Sequence, residues 1–179
     1  MIEGSPSLVL GGFMGTGKST IGKLLAARLN RPFMDTDALI IQRAGMRISQ
    51  IFSQHGEPYF REVERQVCLE AAGIRGAVIA TGGGALLDPA SRAAFEAEAV
   101  IVLLTCERNA LLARLEESAR LGVRPLLGDD FATQVDRMYA AREQVYNSFA
   151  LQVDTTNVDP VEAAERVLAL YHRATEGGA

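Results

Sequence analysis

Short apolar runs alternate along this chain with longer stretches whose apolar residues recur at helical spacing. Ser7–Leu10, Pro32–Met34, Ala77–Ala80, Val100–Leu104 and Leu151–Val153 are brief, apolar and flanked by Gly, Asp or Thr, which predicts five buried strands. Between them, Ile21, Leu24, Leu25 and Leu29 fall on one helical face after Lys18, and Asn30-Arg31-Pro32 stops that helix. Phe60, Val63, Val67 and Ala71 mark a second helix, Leu111, Leu112 and Leu115 a third, Val135, Met138 and Tyr139 a fourth, and Ala164, Val167, Leu168 and Tyr171 a last. Strands that alternate with helices predict a parallel sheet covered on both faces. Glu116–Asp130 breaks the pattern with weak periodicity, two Gly and one Pro, as a functional loop or lid would. The tail Thr175–Ala179 is expected to fray.

Composition narrows the function classes. A chain of 179 residues suits one domain, taken here as 1–179, and 48% apolar with 22% charged residues is ordinary for a globular protein. The net charge of −4 leaves no basic surplus for a nucleic-acid backbone, although a bound nucleotide needs only a few placed donors. Cys68 and Cys106 build no disulfide framework and carry no zinc-ligand spacing. The start MIEGSPSLVL lacks the pattern of a signal peptide, and no apolar stretch approaches the ~20 residues of a membrane span, so a cytoplasmic protein without membrane contact is expected. No long apolar stripe is left over, and a monomer is the default expectation.

The first chemical motif follows the first predicted strand. Gly12-Phe13-Met14-Gly15-Thr16-Gly17-Lys18-Ser19 satisfies G-x-x-x-x-G-K-[ST], and an amphipathic helix comes next. Glycines let successive N–H groups turn inward onto phosphate oxygens, and the helix N-terminus adds partial positive charge. Lys18 can reach the β- and γ-phosphates, and the Ser19 hydroxyl can ligate Mg²⁺. The bare pattern arises by chance in roughly one chain of this length per hundred, and the strand and helix context makes it rarer.

Three polar clusters bear on the acceptor. Asp35-Thr36-Asp37 follows the second strand, where a parallel sheet faces its ligand crevice. Helix capping accounts for Thr36; the two carboxylates can divide labour between a metal's water shell and an acceptor hydroxyl. Arg61 and Glu64, three apart on a helix, alone suggest an exposed ion pair worth a few tenths of a kcal/mol. Gly82-Gly83-Gly84 closes the third strand with more glycine than a plain turn requires, which lets a ligand approach the backbone.

GFMGTGKST, DTD, GExxFRxxE, ATGGG, RPLL and a late Arg-x-x-x-Tyr together resemble the shikimate kinases in order and approximate spacing, from about Leu8 to about Val153. The resemblance implies a P-loop NTP hydrolase-like, nucleoside-monophosphate-kinase-like α/β/α sandwich with a five-stranded parallel sheet, a substrate-binding region near 35–64 and a mobile lid near 116–130. It implies transfer of the γ-phosphoryl of ATP to the 3-hydroxyl of shikimate, with Mg²⁺, in aromatic amino-acid biosynthesis. Gly12, Gly15, Thr16, Gly17, Lys18, Ser19 and Thr20 then hold ATP, and Asp35 resembles the aspartate that holds Mg²⁺ through water. Asp37 is the candidate base on the acceptor hydroxyls. Arg61 and Arg142 resemble the pair that grips the substrate carboxylate, Glu64 the residue that orients Arg61, and Gly82, Gly83 and Gly84 line the ring. Arg124 resembles the lid arginine that swings onto the phosphates, and Arg114 the arginine that stacks on adenine.

The chemistry agrees with that implied arrangement. Phosphoryl transfer spreads charge over equatorial oxygens, so cations and positioning dominate. A carboxylated polyol suits a guanidinium fork, and lid closure excludes competing water. The chain departs from the family where Arg-x-Pro-Leu-Tyr is often found, having Arg142-Glu143-Gln144-Val145-Tyr146, with Arg137 nearby. Thr155–Pro160, where relatives close over adenine, carries no basic residue. His55 is expected to end a helix beside Gly56, His172 to be solvated, Cys68 to fill core, and Arg92, Arg120 and Arg173 to be surface charges. A gluconate kinase would share the P-loop and lid without reason for FRxxE plus GGG. A nucleotide-binding regulatory module would tolerate loss of Asp37, Arg61 or Arg142.

Overall fold

Every residue of the first strand, β1 (Ser7–Gly12), is buried, and its side chains alternate between two separate cores. In the computed structural model, which describes residues 5–120 and 130–176, Leu8 and Leu10 face one layer of helices and Val9 faces the other. A strand buried on both faces favours apolar residues, which is why Leu8–Leu10 reads as a run, and the buried Ser7 donates its hydroxyl to the Ile74 carbonyl.

From β1 the chain passes through α1 (Lys18–Leu29), β2 (Phe33–Asp35), α2 (Thr36–Ala44), α3 (Ile48–Ala72) and β3 (Val78–Ala80). A 3₁₀ turn (Ala85–Leu87) leads to α4 (Pro89–Glu98), β4 (Ala99–Thr105), α5 (Arg108–Arg120), α6 (Phe131–Asn147), β5 (Gln152–Asp154) and α7 (Pro160–Glu176). The strands form one parallel sheet in the order β2-β3-β1-β4-β5, with Leu8 opposite Val78 on one side and Val100 on the other. The five predicted strands are all present, each within two residues of its expected bounds, but the edge strands are not buried as expected: β2 is half-buried and β5 buries only Val153.

Two layers cover the sheet. Ile21 and Leu25 of α1 and Val167 and Tyr171 of α7 pack on Leu8, Leu10 and Val102. On the opposite face, Cys68, Phe95, Leu111, Val135 and Tyr146 from α3 to α6 pack on Val9, Ile79 and Leu103. Ile40, Ile51, Phe60, Val63 and Val67 form a third, smaller cluster between α2 and α3. Burial pushes the Cys68 thiol up to about 12, as befits an inert core residue.

Several local expectations need correction. The expected helix end at His55 is present, however: Gly56 (φ 79°, ψ 173°) is non-helical, so α3 is two helices joined at a kink directly after His55. The exposed His55 ring lies against Tyr59, 4.7 Å between centroids. Thr175 does not fray; it lies within α7 with its hydroxyl donating to the carbonyls of Tyr171 and His172. Arg92 is more than a surface charge. Its guanidinium stacks 4.4 Å from the Phe149 ring centre and donates to Glu96 and Ser148, tying α4 to the end of α6. Exposed Arg120 and Arg173 conform to expectation, pairing with Glu117 and with the Ala169 carbonyl. The predicted lid begins as the last turn of α5, and residues 121–129, Arg124 among them, lie outside the described residues. No helix among the described residues is long and apolar enough to cross a membrane.

Candidate active site

The carboxyl ends of β1, β2 and β3 lie side by side, so the loops that follow them meet above one edge of the sheet. After β1, Gly15 (φ 82°) and Gly17 (φ 94°) take left-handed torsions that turn the chain directly into α1. No side chain caps α1 among the described residues, whereas Asp35 caps α2 and Asp88 caps α4. The first N–H groups of α1 are thus left for an anion, and its macrodipole points at the same place. Lys18 is only 9% exposed, and its ammonium donates to the carbonyls of Gly12 and Phe13 at 2.7 and 2.8 Å. Thr16 braces the loop by donating its hydroxyl to the Phe13 carbonyl at 2.8 Å, while Ser19 and Thr20 are exposed.

Asp35 serves two structures at once. One carboxylate oxygen, Oδ1, accepts from the backbone N–H groups of Asp37 and Ala38, which makes Asp35 the N-cap of α2. The other, Oδ2, accepts the Ser19 hydroxyl at 2.6 Å and so joins the end of β2 to the phosphate loop. Capping therefore falls to Asp35 and not to Thr36, contrary to expectation. Thr36 is fully buried, and its hydroxyl oxygen accepts the Gly82 N–H at 2.8 Å. That bond fixes the glycine turn after β3 against the start of α2.

A second corner, the candidate acceptor site, is built around that turn. A β-carbon placed on Gly82 would lie 2.6 Å from Asp37 Oδ1 and 2.9 Å from Glu64 Oε1, and one on Gly84 would lie 2.7 Å from Arg61 Nη1. Only glycine admits these approaches. Arg61 donates to Glu64 Oε2 at 2.7 Å and to Glu57 Oε1 at 3.0 Å. The pair is not the exposed one suggested by spacing, because Glu64 is 4% exposed. Burial raises the Glu64 carboxyl above its ordinary value, with Arg61 pulling it down and Asp37 adding to the rise. From α6, Arg142 donates to the Gly83 carbonyl at 3.2 Å and lies 5.1 Å from the centre of the Phe13 ring. Asp37, Arg61, Glu64 and Arg142 thus gather around three glycines, beside the phosphate loop.

A third corner lies beyond β5. Arg114 of α5 donates to the Thr155 hydroxyl at 3.0 Å and to the Thr155 carbonyl at 2.5 Å. The Thr155 hydroxyl also lies within hydrogen-bond distance of the carbonyls of Thr16 and Thr105. Arg114 is therefore tied to the segment expected to close over a base, and through Thr155 to the phosphate loop.

The family model for shikimate kinases matches residues 14–171. This chain belongs to the shikimate kinase family. It is 43% identical over 150 residues to a shikimate kinase of Geobacter sulfurreducens, covering 83% of this chain and 81% of that one. The structure of an Acinetobacter baumannii shikimate kinase in complex with shikimate superposes with a TM-score of 0.85 at 30% identity, over 94% of this chain and 93% of the other. A gluconokinase from Sinorhizobium meliloti, at 16% identity and a TM-score of 0.58 over 96% and 94%, shares the fold.

Against that family background, Thr155 is the residue least visible in the sequence, while Tyr146 stands there only as the last letter of Arg-x-x-x-Tyr, with no role given to it. Thr155 sits in a polar stretch with no motif, and only its burial between the phosphate loop and the ends of β4 and β5 reveals it as a junction. Tyr146 donates its phenol to the Gly83 carbonyl at 2.5 Å. Its position four after Arg142, one helical turn on, was the available signal.

Proposed function

We propose that the protein phosphorylates shikimate, moving the γ-phosphoryl of ATP to the 3-hydroxyl to give shikimate 3-phosphate and ADP. The observation that carries this is the acceptor corner: two guanidinium groups and a half-buried carboxylate around a glycine turn, next to a phosphate loop, in a member of the shikimate kinase family. The whole chain acts as one catalytic domain in this proposal, monomeric and cytoplasmic.

Each residue has a physical task. The loop N–H groups, the α1 N-terminus and Lys18 neutralise the phosphates, with Gly12, Gly15, Thr16, Gly17, Ser19 and Thr20 forming the cradle. Lys18 now occupies two backbone carbonyls, weak partners that a phosphate oxygen can replace. Ser19 and Asp35 present hard oxygens 2.6 Å apart at the loop's edge, a donor set that fits Mg²⁺ held partly through water. When bound, Mg²⁺ would supply charge stabilisation to the β- and γ-phosphoryl oxygens. Asp37 receives the acceptor proton as the hydroxyl attacks, and Arg61 and Arg142 fork the substrate carboxylate. Arg124 adds a lid cation, and Arg114 packs at the adenine.

The test is a coupled assay of ADP release with MgATP and shikimate, gluconate or no acceptor. Turnover with shikimate alone is expected. A shikimate rate equal to the acceptor-free rate would overturn the assignment, and turnover with gluconate would move it to a related kinase.

Two variants probe the acceptor corner. Arg61→Lys keeps the charge and loses the planar fork, so the shikimate KM should rise by about 10- to 100-fold with the ATP KM within about twofold. Equal changes for both substrates would remove Arg61 from the acceptor site. Gly82→Ala forces a methyl group against Asp37 and Glu64, and Glu64 is already fixed by Arg61. Asp37 must move, and kcat should fall by about 100-fold, the cost of ~1 Å of misplacement. An unchanged kcat would show that Asp37 needs no such placement.

A further inference from the structure

The Gly83 carbonyl takes two side-chain donors, the Tyr146 phenol at 2.5 Å and Arg142 Nη1 at 3.2 Å. A carbonyl oxygen has two lone pairs, so these donors saturate it. Tyr146 is 4% exposed, and its ring lies 6.2 Å from that of Tyr139, which in turn lies 5.6 Å from Phe13. Phe13 is the ring on which Arg142 rests. The tyrosine therefore touches the acceptor corner at two removes: directly at Gly83, and through an aromatic row that ends beneath Arg142.

Resting on the function proposed above, we infer that Tyr146 is a positioning residue for the substrate carboxylate, holding the Gly83 carbonyl so that Arg142 keeps a fixed orientation without being consumed by that contact. The phenol suits the task because it is a neutral donor that does not compete for an anion. Burial raises it further above the ordinary tyrosine value, although Arg142 opposes that rise. If the phenol is absent, Arg142 becomes the only side chain left to satisfy Gly83. Its guanidinium is then drawn toward the backbone and away from substrate. The net value of such a hydrogen bond corresponds to about a five- to tenfold change in a binding constant.

The experiment compares Tyr146→Phe with Tyr171→Phe. Tyr171 is a second buried tyrosine whose phenol donates to the Pro6 carbonyl on the other face of the sheet, away from this corner. Both variants lose a buried hydroxyl, but only the first touches Gly83. Tyr146→Phe should raise the shikimate KM about five- to tenfold and leave the ATP KM unchanged, while Tyr171→Phe should move neither. In an Arg142→Gln background, Tyr146→Phe should add less than twofold, because the orientation it guards no longer matters. An unchanged shikimate KM, a joint rise of both KM values, loss of the cooperative melt in Tyr146→Phe alone, or full additivity with Arg142→Gln would each overturn the inference. Wild-type protein that shows no shikimate-dependent ADP release would instead overturn the function on which it rests.

Discussion

Lys18→Ala is expected to lower kcat by about 10³-fold or more while the protein keeps its fold and a cooperative melt. The ammonium is nearly buried, and in the described structure it is held by two carbonyls of the loop it belongs to. A charge in that position acts where water is scarce, so its effect on developing phosphoryl charge is large. Its loss should disturb folding far less. The Phe13 carbonyl keeps the Thr16 hydroxyl and N–H as donors, and a smaller side chain admits water to Gly12. Single-turnover transfer, measured beside nucleotide binding and thermal melting, separates these effects. A variant within tenfold of the wild-type rate would remove Lys18 from the transfer step.

Asp37→Asn should reduce kcat by about 10²- to 10⁴-fold, the range of a positioned general base, with a much smaller change in the shikimate KM. The amide is nearly isosteric, so it can occupy the space beside Gly82, where a single methyl group would not fit. Its oxygen can still accept a hydrogen bond from the acceptor hydroxyl, but it cannot take the proton. Ground-state binding is therefore largely kept and the transition state loses its proton sink. Steady-state kinetics over a range of pH decides the matter. A kcat within tenfold of wild type would assign Asp37 to binding only, and an equal loss in KM would assign it to orientation of the substrate.

The parts of this architecture that local pattern controls were legible from the sequence. Each buried strand announces itself as a short apolar run, and the G-x-x-x-x-G-K-S spacing is a backbone geometry written as residues. What escaped is decided by residues distant in sequence. Arg61 and Glu64 look like an exposed pair until β3 and its glycines are laid over Glu64. Thr36 looks like a cap, but the neighbouring Asp35 takes that role and leaves the threonine hydroxyl for Gly82, 46 residues away. Arg92 looks like surface charge until Phe149 is brought beneath it. Base-side contacts were the least legible, because Arg114 lies on the helix marked by Leu111, Leu112 and Leu115 with nothing local to single it out, and Thr155 lies in a polar stretch; Arg114 was named by family resemblance, and its partner was not.

The separate small cluster of Ile40, Ile51, Phe60, Val63 and Val67 has a consequence for how such enzymes diversify. Asp37, Arg61 and Glu64 ride on the two helices that this cluster joins, while the phosphate loop is anchored in the large cores on either side of the sheet. Substitutions within this cluster can shift α2 against α3 while the large cores keep their own packing, and the Asp35–Ser19 bond at the start of α2 limits how far that helix can move from the phosphate loop. A lineage built on this scaffold can therefore drift toward new acceptors by revising one small corner, provided the Asp35 hinge to the ATP side is kept.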